Sequence, residues 1–188
     1  MQYVLASQSP RRRELLSLIL DRFEVCPADI DETLNPQKPL REEIVRLAAR
    51  KALEAAKTHP DAAVIGADTL VELDGRVLGK PHSPEEAAQM LSLLSGRTHR
   101  VLTAAAAILH GELRTALNVT EVDFRALAPQ EIGRYVATGE PLDKAGAYGI
   151  QGKGAVLVVG IRGDFYSVMG LPVAQLYLLL RDMGALPG

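Results

Sequence analysis

Apolar and polar positions follow two different periods along this chain, and the changes of period mark strands and helices in turn. The run Val4-Leu5-Ala6 predicts a short strand over residues 2–6, followed by a helix over 10–19. A second short strand is expected at 22–26, and residues 27–38 read as a loop. Leu40, Ile44, Leu47, Ala48 and Ala55 recur at helical spacing and predict a helix over 40–57. Residues 62–73 read as a buried strand, turned by Asp74-Gly75 into Arg76-Val77-Leu78.

The next helix, over 84–94, has the clearest ends. Ser83 is placed to cap it, Pro84 takes its first position, Glu86 completes a capping box and Gly96 closes it. Two long strands, 99–109 and 113–124, are joined by His110-Gly111. A helix over 129–138 ends at Gly139, and a glycine-rich stretch leads to a strand at 155–161. A last helix is predicted over 172–183. This alternation predicts an α/β fold. No linker interrupts it, so residues 1–188 are expected to form one domain with lobes flanking a cleft.

Composition narrows the functional classes. The 188 residues are 47% apolar and 23% charged, as in an ordinary soluble globular protein. A net charge of −2 and only 4% aromatic residues argue against coating nucleic acid by bulk charge or stacking on single strands. Cys26 is the only cysteine, which excludes an internal disulfide and a multi-cysteine zinc site. No apolar run approaches the roughly 20 residues needed to span a bilayer. The start Met1-Gln2-Tyr3-Val4 lacks the basic and long apolar regions of a signal peptide, so the expected location is the cytoplasm.

Candidate chemistry begins in the first turn. Ser7-Gln8-Ser9-Pro10-Arg11-Arg12-Arg13 puts three arginines where the helix dipole prefers anions. Free N–H groups, serine hydroxyls and guanidinium forks there make a phosphate site. Successive helical positions diverge by about 100°, which selects Arg11 and Arg12 to face one ligand and leaves Arg13 to solvent or an acid. The alternative is a solvated basic turn.

Asp68 interrupts an apolar strand and is costly to bury without a partner or metal. It is therefore a candidate Mg²⁺ ligand or general base, against a structural aspartate bonded to backbone N–H groups. Lys51 shares the apolar stripe of its helix, so it either snorkels outward, the commoner case, or points into a polar site. Lys80, held extended by Pro81, is a second candidate cation. Asp29, Asp31 and Glu32 form an acidic loop able to supply a second metal ligand or simply to be solvated. Between Glu140 and Gly152 the chain is dense in glycine, which permits close approach of backbone to a ligand, or merely makes a turn-rich connector. Gly152-Lys153 is followed by Gly154, so this is no Walker A loop. Gln151 there carries an amide able to read a base edge.

Together these segments resemble the Maf family. The resemblance runs in order through Leu5 to Arg12, Leu47 to Ala52, Gly66-Ala67-Asp68-Thr69, Gly79-Lys80-Pro81, Leu94 to His99, Gly139 to Gly152 and Gly170-Leu171-Pro172. It implies an α/β fold with a mixed sheet and flanking helices, two lobes around a central cleft, related to the inosine triphosphate pyrophosphatases. It further implies a homodimer that hydrolyses nucleoside triphosphates to monophosphate and pyrophosphate with Mg²⁺ or Mn²⁺. By the family pattern Asp68 is the proton acceptor, and Arg11, Thr69 and Gln151 bear on substrate choice. Gly149-Ile150-Gln151-Gly152 resembles the branch acting on dTTP and UTP, whereas the 7-methyl-GTP branch usually carries glutamate in place of Gln151. The reading that follows has Arg11, Arg12, Lys51 and Lys80 on the phosphate chain and Ser7 on phosphate oxygens. Asp68, with Glu32, holds the metal, and Thr69 and Gln151 read the pyrimidine. The family's association with septum formation keeps open a non-catalytic regulator that binds nucleotide or nucleic acid.

Overall fold

The computed structural model describes residues 1–186. The described residues form seven strands and six α-helices, five of the helices where the periodicity predicts them. The strands are β1 (Tyr3–Leu5), β2 (Glu24–Val25), β3 (Ala63–Leu73), β4 (Arg76–Leu78), β5 (Thr98–Leu109), β6 (Glu112–Phe124) and β7 (Val158–Arg162). The helices are α1 (Pro10–Leu16), α2 (Leu40–Ala56), α3 (Pro84–Leu94), α4 (Pro129–Val136), α5 (Phe165–Met169) and α6 (Val173–Asp182). The sheet order is β2-β1-β3-β5-β6-β7, with β4 paired to β3. β1 runs parallel to β2 and β3, while β3–β4 and β6–β7 are antiparallel, so the sheet is mixed.

The chain divides into two compact units. One comprises Met1–Asp68, Thr103–Asn118 and the residues from Gly170 onward; the other comprises Thr69–Leu102 and Val119–Met169. Three of the divisions fall inside β3, β5 and β6, and the fourth follows the end of α5.

In the first unit, Val4, Leu5, Ile44, Leu47, Val64, Ile65, Leu176 and Leu180 are fully buried. β1 pairs Val4 with Val64 and Leu5 with Ile65, a parallel register buried on both faces. α2 packs closely on β3 at Gly66. A Cβ there would collide with the Ala48 carbonyl oxygen and lie 2.7 Å from the Ala52 nitrogen. Only glycine lets the helix backbone come this near the strand.

In the second unit the core joins Leu78, Leu91, Leu94, Val122, Phe124, Ile132 and Tyr148. Asp74 and Gly75 both take positive φ, 51° and 82°, as the tight hairpin requires. His110 and Gly111 do the same, at 50° and 82°, between β5 and β6.

Several boundaries differ from the sequence expectation. α1 stops at Leu16 because Leu18 and Ile19 donate to carbonyls three residues back, tightening the chain into a turn. Residues 155–157 belong to a 3₁₀ helix over Gly152–Leu157, and β7 starts only at Val158. α5 had no counterpart in the predicted elements. Its start is organised by Asp164, whose carboxylate accepts from the Tyr166 and Ser167 backbone N–H groups. The Ser83 hydroxyl does accept from the Glu86 N–H at 3.2 Å, but the Glu86 carboxylate reaches back to the N–H of His82, not of Ser83. No helix among the described residues is long and apolar enough to cross a membrane.

Candidate active site

β1 ends at Leu5, and Ala6-Ser7-Gln8 carry the chain to Ser9, the cap of α1. Ser9 is extended, its hydroxyl accepts from the Arg12 N–H, and Pro10 occupies the first helical position. The Ser7 hydroxyl accepts from the Ser9 N–H at 3.2 Å and from Arg12 Nη1 at 3.4 Å. Arg12 Nε donates to the Gly170 carbonyl at 2.8 Å. The guanidinium is thereby fixed beside Ser7. Burial lowers its pKa, the Asp68 and Glu32 carboxylates oppose that shift, and Arg11 adds to it. An arginine in this setting stays charged. Arg13 is exposed, whereas Arg11 and Arg12 are half-buried.

Lys51 does not snorkel outward. It is buried on α2, and its Nζ lies 2.6 Å from Asp68 Oδ1 and 2.7 Å from Glu32 Oε1. Asp68 is buried as well, so its partner is an ammonium rather than backbone N–H groups. The pair with Asp68 is the stronger of the two, because the Glu32 side chain remains 59% exposed and water screens it. Arg11, Arg12 and Lys51 set three cations against the two carboxylates, one positive charge in excess. Such a cluster favours a polyanionic ligand.

Glu32 reaches Lys51 because its loop is clamped to α2, which the sequence reading did not find. Arg46 donates to the Thr33 carbonyl at 3.0 Å and Arg50 to the Asp31 carbonyl at 2.8 Å. Glu43, 1% exposed, accepts from Arg46 and, at 2.7 Å, from the Asn35 N–H. The Arg46 guanidinium holds the Glu43 carboxyl down to about 2, with the Asn35 N–H adding to the effect. The available signal was spacing: Glu43 lies four residues before Leu47 and eight before Lys51, on the inward face of the helix. Of the acidic loop, Asp29 is exposed and Asp31 caps Thr33. Glu32 alone of the three pairs with Lys51.

Among the described residues no group of three or more His, Cys, Asp or Glu side chains is arranged to hold a metal. Asp68 and Glu32, brought to one ammonium, are a two-carboxylate donor set. That fits Mg²⁺ or Mn²⁺ delivered with a triphosphate, which supplies the remaining oxygens, and not a resident metal in an all-protein cage.

The other predicted residues belong to the second unit. Thr69 follows Asp68 directly on β3 and is half-buried. Lys80 is exposed between Gly79, whose carbonyl accepts from the Gly146 N–H at 3.0 Å, and the buried Pro81. Gln151 is half-buried and extended at the head of the 3₁₀ helix. The first unit thus brings Ser7, Arg11, Arg12, Glu32, Lys51 and Asp68 together, while Thr69, Lys80 and Gln151 are carried by the second.

Proteins named dTTP/UTP pyrophosphatase are similar to this chain over nearly its whole length. The Moorella thermoacetica protein is 52% identical over 183 residues, covering 96% of this chain and 94% of its own. The Bacillus velezensis protein is 51% identical over 179 residues, 95% of each. The Aquifex aeolicus protein is 46% identical over 188 residues, 100% of this chain and 98% of its own. Among solved structures, the Staphylococcus aureus Ham1 protein overlaps 66% of this chain and 72% of its own at 19% identity. Its TM-score of 0.45 is too low to bear on fold or function. The model of Maf-like proteins matches residues 2–183, through the Ser7–Arg12 turn, Lys51 and Asp68 alike, and the chain belongs to the Maf family.

Proposed function

We propose that this protein hydrolyses dTTP and UTP to the nucleoside monophosphate and pyrophosphate. The observation that carries the reading is the buried Lys51 ammonium held between Asp68 and Glu32, beside the arginines of α1, in a chain about half identical to proteins named for that activity.

Phosphoryl chemistry asks mainly for charge neutralisation and an aligned nucleophile. Arg11, Arg12 and Lys51 offset the charge of the phosphate chain, and the Ser7 hydroxyl bonds its oxygens. Asp68 orients a water and accepts its proton as the water oxygen bonds to the α-phosphorus. The bond from that phosphorus to the bridging oxygen breaks, and pyrophosphate leaves. A divalent cation, when bound, neutralises charge developing on the phosphate oxygens, and Asp68 and Glu32 are its proposed protein ligands. Lys80 is assigned to the phosphate chain, and Thr69 and Gln151 to the pyrimidine, on the sequence resemblance. A homodimer is proposed on the same resemblance, and the cytoplasm is the proposed location.

Pyrophosphate release from a panel of nucleotides, with and without EDTA, tests the assignment. Metal-dependent release from dTTP and UTP is expected. Release from 7-methyl-GTP alone would move the substrate, and no release from any nucleotide would refute the enzyme. Asp68→Asn should fold and bind dTTP yet lose at least about a hundredfold in kcat. Near-normal turnover would remove Asp68 from the chemistry.

A further inference from the structure

Gln151 sits in a turn with no strand ladder to fix its direction. What fixes it is a half-buried carboxylate and a buried phenol. Glu140 Oε1 accepts from the Gly154 N–H at 3.0 Å and from the Tyr135 hydroxyl at 2.9 Å. Glu140 Oε2 accepts from the Lys153 N–H at 2.9 Å. The Tyr135 oxygen in turn accepts from the Gly149 N–H at 3.1 Å. The amides at 149, 153 and 154 are therefore all held by the Glu140–Tyr135 pair, and they bracket Gln151 on both sides.

The neighbouring glycines follow from this closeness. Gly152 has a φ of +66°, and a Cβ there would stand 2.8 Å from Glu140 Oε2. A Cβ on Gly154 would stand 2.6 Å from the Tyr135 oxygen. Glu140 is itself anchored, since its carbonyl accepts from Lys144 Nζ at 2.6 Å. Burial pushes the Glu140 carboxyl up, but the Lys153 N–H, the Tyr135 hydroxyl and the Gly154 N–H outweigh it and hold the group below its usual range.

We infer that Glu140, with Tyr135, is a positioning residue for substrate selection: it sets the backbone course of residues 149–154 and so the direction of the Gln151 amide. The inference rests on the reading that Gln151 contacts the pyrimidine. Glu140 touches no substrate; it acts through Gln151.

The test compares Glu140→Gln, Tyr135→Phe and Gln151→Ala in steady-state assays on dTTP and dATP, with hydrogen exchange at the Lys153 and Gly154 amides. Glu140→Gln turns an acceptor into a donor facing N–H groups. KM for dTTP should rise about tenfold, the scale of one lost hydrogen bond to a charged group. kcat should move much less, the preference for dTTP over dATP should shrink toward that of Gln151→Ala, and both amides should exchange faster. If Glu140→Gln does not fold, Tyr135→Phe makes the same comparison through the Gly149 N–H. Equal loss on both nucleotides, or unchanged preference with faster exchange, would overturn the role of Glu140 while leaving the hydrolase reading intact. If Gln151→Ala leaves the preference unchanged, the base-reading assignment falls and this inference with it.

Discussion

Lys51 Nζ stands 2.6 Å from Asp68 Oδ1, with the two side chains only 9% and 11% exposed. A buried ion pair contributes little compared with an apolar pair, but removing one partner strands the other charge. Lys51→Met should therefore destabilise the fold by about 3 kcal/mol, read as a Tm lower by about 10 °C. Adding Asp68→Leu should recover most of that stability while activity stays absent. If the double variant is no more stable than the single one, the stranded charge is not the cause.

Gly66 lets α2 approach β3 closely enough for Lys51 and Asp68 to meet. Gly66→Ala puts a methyl against the Ala48 carbonyl and the Ala52 nitrogen, both backbone atoms that cannot swing aside. A cost of about 3 kcal/mol is expected from overpacking. Because Ala52 adjoins Lys51, kcat measured below the lowered Tm should fall too. Wild-type kcat with lowered Tm would show that the helix absorbs the strain without moving Lys51.

Glu43 makes the Glu32 loop acid-sensitive. Its folded pKa, about 2, lies below its ordinary value of 4.5. A depressed carboxyl stabilises the fold above its unfolded pKa, and that contribution fades as pH falls through the folded one. Tm should therefore drop between about pH 4.5 and 2 more steeply in the wild type than in Glu43→Gln. Parallel curves for the two proteins would exclude Glu43 as the source.

His99 gives a second acid dependence, in a higher pH window. Burial pushes its imidazole down to about 4, and its Nε2 lies 2.7 Å from the Tyr148 hydroxyl oxygen. Nδ1 has no hydrogen-bond partner. The ring meets Phe124 and Tyr148 edge-on, so there is no room for a hydrated imidazolium. The unfolded chain then takes up a proton that the folded one refuses, and stability falls as pH drops from 6.5 toward 4. The loss is on the order of 3 kcal/mol. His99→Gln, which does not titrate, should flatten a Tm series across that window.

The elements set by local chemistry were readable directly. α3 spans the predicted residues because Ser83, Pro84 and Gly96 act within a few positions of one another. The Asp74-Gly75 turn likewise needs only its own backbone preferences. Short pieces such as α5 and the 3₁₀ turn before β7 escaped because five or six residues carry too little periodicity to register. Among the candidate residues, charge in the wrong place was a usable signal: Asp68 inside an apolar strand, Lys51 on an apolar stripe, three arginines at a helix start.

What the sequence by itself determined is therefore the succession of elements and the residues whose placement is costly without a partner. Only the tertiary structure decided the partners. Lys51 and Asp68 lie seventeen positions apart and meet because Gly66 admits the helix to the strand. Glu32 joins them because Arg46 and Arg50 grip its loop, and Gln151 takes its course from Glu140. Periodicity reports which face of an element is buried. It carries no information about which distant group that face will find, since pairing is settled by the packing of backbone against backbone.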